Sequence, residues 1–117
     1  MGKSKFITKQ NVQEYEMLNP ILDSLYDEVK ELSKKKQDGV LNKFKVAMIN
    51  KVLSQIKELL KNESTTQFLD LLDEDQLPTN SDAVLVMTQF SSALAQFKNK
   101  YYIDDDMSDE GEWQIKG

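Results

Sequence analysis

The chain has 117 residues, 39% of them hydrophobic and 30% charged, with a net charge of −5, which suits one domain around one modest core. It contains neither cysteine nor histidine, which excludes disulfides, thiolate metal sites, cysteine nucleophiles and Ser-His-Asp catalysis. All fifteen basic residues are lysine, so no guanidinium is present to fork onto a phosphate, a carboxylate or a guanine edge.

The opening MGKSKFITKQ lacks the apolar core of a secretion signal, and no stretch approaches the ~18 apolar residues of a membrane span, so a cytoplasmic location is expected. From Thr8 to Tyr102 the apolar spacing is helical almost throughout. Thr8 is placed to cap a short first helix ending near Leu18, and Asn19-Pro20 reads as an N-cap followed by proline at the first position of a second helix. That second helix, Pro20 to Lys36, carries Ile21, Leu22, Leu25, Tyr26, Val29 and Leu32 on one arc, and Asp38-Gly39 stops it. Lys34, Lys35 and Lys36 fall in its last turn, where cations complement the helix dipole, and this accounts for them better than phosphate binding does.

Asn42 is placed to cap a third helix running to about Lys61, whose apolar stripe from Phe44 to Leu60 is wide enough for the central helix of a bundle. Lys45 projects into that stripe from the first turn, with its stem long enough to carry the amine to water. Ser64 with Gln67 fits a capping box for a short fourth helix ending near Leu72. Asp73, Glu74 and Asp75 then sit at the negative end of its dipole, where acids are disfavoured, so pairing with lysines or contact with a partner is expected of them. After Pro78, Ser81 and Asp82 open the last helix, buried through Ala83, Val86, Met87, Phe90, Ala93, Leu94, Phe97 and Tyr101. Its opposite face, Thr88, Gln89, Ser92, Gln96 and Asn99, is uncharged and therefore cheap to desolvate, as a contact surface requires. The expected fold is all-α, a compact antiparallel bundle of four to five helices, with Phe44, Ile56, Phe90 and Phe97 in the core.

Charge is laid out unevenly. Residues 1–62 hold twelve lysines against eight acids, and residues 63–103 hold two lysines against six acids, so the body is neutral. Residues 104–117 hold six acids against Lys116 and carry the whole net charge of −5. The expected division is thus a helical bundle over 1–103 and an acidic, flexible tail over 104–117. A calcium loop beginning at Asp106 matches at Ser108, Glu110 and Gly111 but places Gly117 where a bidentate glutamate is needed.

Glu28 with Glu31, and Asp70 with Asp73, are carboxylates three apart, and this resembles the paired acidic motifs of the all-α nucleotide pyrophosphatases. That resemblance implies magnesium-dependent hydrolysis of nucleotides. The chain departs from the pattern in that its second pair is two aspartates and begins thirty-nine residues after Glu31. A nucleic-acid mimic is a second alternative, although it needs acids spread over a rigid face. The favoured expectation is a non-enzymatic protein without cofactor or metal, of the inhibitor, antitoxin, immunity or adaptor type. Its partner would be another protein, bound through Trp113 and Ile115 as anchors, with Asp104, Asp105, Asp106, Asp73, Glu74 and Asp75 supplying charge. Nucleic acid is disfavoured as a partner by the net charge, and no membrane contact is expected. Docking of the tail on its own bundle is the alternative role for Trp113.

Overall fold

A computed structural model describes residues 6–103 and 111–116. Three helices dominate it: α1 (Lys9–Lys35), α2 (Lys43–Leu59) and α3 (Asn80–Tyr101). A short 3-10 turn (Ser64–Phe68) lies between α2 and α3, and two-residue strands β1 (Tyr102–Ile103) and β2 (Glu112–Trp113) follow α3. The all-α class is as expected, while the α-helices among the described residues number three rather than four or five.

The expected break at Asn19-Pro20 is absent, and α1 runs through Pro20 from a cap in which the Thr8 hydroxyl accepts from the Asn11 amide at 3.1 Å. A proline inside a helix forfeits one hydrogen bond and costs about 3 kcal/mol. Pro20 lies on the exposed face, and its neighbours Leu18 and Leu22 are both buried, so one straight stripe retains more apolar burial than two separate helices would.

The capping of α2 is as expected, since the Asn42 side chain accepts from the Lys45 amide at 2.8 Å. The central position is not: α1, rather than α2, packs against both other helices. The stripe of α2 is wider than the surface α1 covers. Val46, Ile49, Leu53 and Ile56 are buried, whereas Phe44, expected in the core, is 73% exposed.

No fourth α-helix forms. Gln67 donates to the Ser64 carbonyl instead of completing a capping box, and the Thr66 hydroxyl donates back to the Leu60 carbonyl. Five residues are too few to offset the cost of helix nucleation when side chains offer the backbone other partners. Beyond Phe68 the chain is irregular, with Leu69 and Leu72 turned into the core. Asn50, buried on α2, holds this segment as a backbone strand would: its Nδ2 donates to the Leu72 carbonyl at 2.8 Å and its Oδ1 accepts from the Leu72 amide at 2.9 Å.

α3 begins one residue earlier than Ser81, with Thr79 as its cap accepting from the Asp82 amide at 3.1 Å. Its entry is stitched to the α1–α2 connection. Leu41 donates to the Pro78 carbonyl, Asn80 to the Gly39 carbonyl and Ser81 to the Gln37 carbonyl through their backbone amides. The Asn80 side chain adds a bond to the Lys36 carbonyl at 2.9 Å.

Residues 111–116 are part of the fold. β2 pairs antiparallel with β1, Tyr102 opposite Trp113, and on its other side Ile115 bridges Ile7 in parallel. The Ile7 amide donates to the Gln114 carbonyl at 3.0 Å and the Lys116 amide to the Ile7 carbonyl at 2.8 Å. Residues 111–116 therefore lie between the entry to α1 and the exit from α3.

Candidate functional site

The capping at Thr79 sets the register of α3. It sends Ala83, Met87, Phe90, Leu94 and Phe97 inward and leaves Thr88, Gln89, Ser92, Gln96 and Asn99 exposed. The 3-10 turn packs beside this outer face. Between them runs a groove of about 310 Å3, bounded by Thr65, Phe68 and Leu69 on one side and by Thr88, Gln89, Ser92 and Gln96 on the other. It continues past Thr65 and Gln96 into a second depression of about 380 Å3 that reaches Glu63, Asn99 and Lys100. All five residues of the uncharged face thus line one continuous trough. Phe68 stands at its lip, 67% exposed. The Thr65 hydroxyl is buried beneath it with no hydrogen-bond partner among the described residues.

One charged cluster closes the far end. The Glu63 carboxylate, nearly buried, accepts from the Tyr101 hydroxyl at 2.8 Å and from the Lys100 ammonium at 3.1 Å. Burial, followed by the hydrogen bond to Glu63, raises the Tyr101 pKa above its ordinary value. Lys100 is also raised, chiefly by its hydrogen bond with Tyr101 and then by Glu63. The cluster ties the start of the 3-10 segment to the last turn of α3 and fixes the width of the trough.

Of the expected partner-binding residues, Trp113, Ile115, Asp73, Glu74 and Asp75 are described. Trp113 enters an aromatic cluster, with its ring 5.1 Å from Tyr15, 5.3 Å from Tyr102 and 6.2 Å from Phe97. It anchors to its own bundle, as the alternative reading of the tail has it, because these three rings form an apolar site within reach. Ile115 is partly exposed on the same strap. Asp104, Asp105 and Asp106 lie outside the described residues.

Two of the three acids after Leu72 have structural tasks. Asp73 accepts from the amides of Asp75 and Gln76 at 2.8 Å, which lowers its pKa and makes it the cap of a turn. Glu74 accepts from Asn50 at 3.1 Å. Asp75 is exposed. Glu28 approaches Lys45 at 3.7 Å and Glu31 approaches Lys34 at 3.1 Å. Among the described residues no three metal-ligating side chains converge.

The uncharged face of α3 is legible in the sequence, whereas its opposite wall is not, because Phe68 and Leu69 fall in a segment whose apolar spacing reads as helical. Asn50 and Glu63 are not among the residues the sequence pattern singles out. The signal for Asn50 is a lone amide on the helix face of Val46, Ile49 and Leu53, where a polar side chain needs a dedicated partner. No family model matches the chain, and neither the curated proteins nor the solved structures yield a match.

Proposed function

We propose that this chain is a non-enzymatic binding protein that recognises another protein through the trough between α3 and the 3-10 segment. The observation that carries the reading is the coincidence of five uncharged polar side chains on one helix face with an exposed Phe68 along the same groove. Hydroxyl and amide groups lose less on desolvation than charges do, and they leave hydrogen-bonding capacity for a partner backbone. Phe68 supplies the apolar anchor that such interfaces concentrate their energy on. In this reading the acids from Asp104 to Glu110 steer a basic partner by charge, while Trp113 contributes stability rather than contact.

The test is affinity capture with tagged wild-type protein and with a Gln89→Arg/Ser92→Arg variant, which fills the trough with charge at exposed positions. A protein recovered by wild type and lost by a variant of unchanged circular dichroism supports the reading. Equal recovery by both removes the trough from the interaction. Magnesium-dependent hydrolysis of a nucleoside triphosphate, abolished by Glu28→Gln, removes the non-enzymatic reading as well.

A further inference from the structure

A second uncovered surface lies between α1 and α2, shares no lining residue with the trough and is independent of the function proposed for it. Leu25 and Val29 of α1 meet Phe44, Met48 and Ile49 of α2 around an apolar groove of about 180 Å3. Met17 and Ile21 extend the α1 side of this surface at the i, i+4, i+8 spacing that leads to Leu25. Phe44 is 73% exposed, Met17 and Met48 about half, and no described residue covers any of them. Single exposed apolar side chains are ordinary, but Phe44 and Met48 at one groove, with Met17 and Ile21 continuing its α1 side, mark a contact surface.

The charges beside the groove indicate what covers it. Glu28 of α1 lines one bank and Lys45 of α2 the other. Within one chain Glu28 and Lys45 already reach across the groove at 3.7 Å. A surface with one acidic and one basic bank is complementary to itself under a two-fold axis that runs along the groove, in the plane between two copies. That operation lays each α1 over the partner's α2, antiparallel and acid against base, whereas an axis across the groove would set α1 on α1 and acid on acid.

We propose that a second copy of this chain covers the α1–α2 groove, forming an isologous dimer whose interface is a four-helix layer with Met17, Ile21, Phe44 and Met48 at its centre. Two antiparallel helices with apolar stripes on one side are half of such a bundle, and the second copy supplies the other half.

The test is the molar mass of the full chain by sedimentation equilibrium over ~1 μM to ~1 mM, the range in which a weak to moderate dimer dissociates. The mass is expected to rise from 13.5 kDa to twice that value. Phe44→Asp and Met48→Lys should each weaken dimerisation at least ~tenfold while leaving the helical circular dichroism intact, since both side chains are exposed in the single chain. Leu85→Asp, at an exposed position on α3, should leave the dimer unchanged. Glu28→Lys and Lys45→Glu should each weaken it, and an equimolar mixture of the two variants should associate more strongly than either alone, a recovery that pairing within one chain cannot produce. A wild-type chain that stays monomeric throughout gives the groove to another occupant and overturns the proposal. A dimer indifferent to Phe44→Asp, Met48→Lys and the charge reversals overturns it equally.

Discussion

Trp113 shows how position along the chain and position in space diverge. In sequence it stands among acids; in space it fills a site walled by Tyr15, Phe97 and Tyr102. Such aromatic pairs add about 0.5–1.5 kcal/mol each to the burial of the ring itself. Trp113→Ala is therefore expected to cost about 3 kcal/mol, at the lower end for an aromatic truncation because the ring is only partly buried. Chemical denaturation measures this, and wild-type fluorescence should be blue-shifted and protected from quenchers; a loss under about 0.5 kcal/mol would place the ring outside the fold. Asn50 is a second residue with more at stake than its size suggests. Asn50→Ala strands the amide and carbonyl of Leu72 in the interior, at about 1–3 kcal/mol for each unsatisfied group. Glu74→Gln should be nearly neutral, because a glutamine oxygen still accepts from Asn50 near the surface. Hydrogen exchange at the Leu72 amide should rise in the first variant and stay protected in the second.

At the scale of elements, the α1–α2 connection and the start of α3 form a joint with no room for a side chain at Gly39. A Cβ there would lie 2.9 Å from Nδ2 of Asn80 and 3.3 Å from the Lys36 carbonyl oxygen. Asn80 would have to leave Lys36, and losing that hydrogen bond costs about 1 kcal/mol or more. Because Gly39 does not occupy a left-handed conformation, alanine would gain about 0.4–1 kcal/mol from the unfolded state. Gly39→Ala is thus expected to destabilise the wild type modestly but to be neutral or stabilising on an Asn80→Ala background. Additive losses across that double-mutant cycle would disprove the contact. Sequence patterns revealed Gly39 as the stop of a helix but not this joint, since nothing local relates position 39 to position 80. The same limit explains the other differences. Caps at Thr8 and Asn42 were legible because their partners lie three residues away. The passage through Pro20 was not, because it depends on what Leu18 and Leu22 are buried against. The uncharged face of α3 was legible from periodicity alone, whereas the wall opposite it required knowing that Asn50 would take the backbone of Leu72 out of any helix.

For the whole molecule, four groups couple stability to alkaline pH in the same direction, among them the exposed Lys61, raised chiefly by its hydrogen bond to Glu58. Tyr15 is raised by burial and by the nearby Asp23 and Glu16, and Tyr101 by burial and its bond to Glu63. Lys100 is raised by its hydrogen bonds with Tyr101 and Glu63. Each is held in its protonated form by the fold, so its contribution is fully present below the unfolded values of 10.0 for tyrosine and 10.5 for lysine. It is lost as pH rises through the higher folded values, because the unfolded chain gives up those protons first. The melting temperature is therefore expected to be insensitive to these groups near neutrality and to fall steadily once pH passes 10.0. Tyr101→Phe separates the sources. It should lower stability at neutral pH, because Glu63 loses a buried donor, and it should also flatten the alkaline decline, because one fewer proton is released on unfolding. Tyr15 lies in the aromatic cluster with Trp113, so its share of the decline should shrink in a chain lacking residues 111–117, where the ring becomes more open to water. An alkaline decline of the same steepness in wild type, Tyr101→Phe and the shortened chain would detach the effect from both tyrosines and leave Lys61 and Lys100 to account for it.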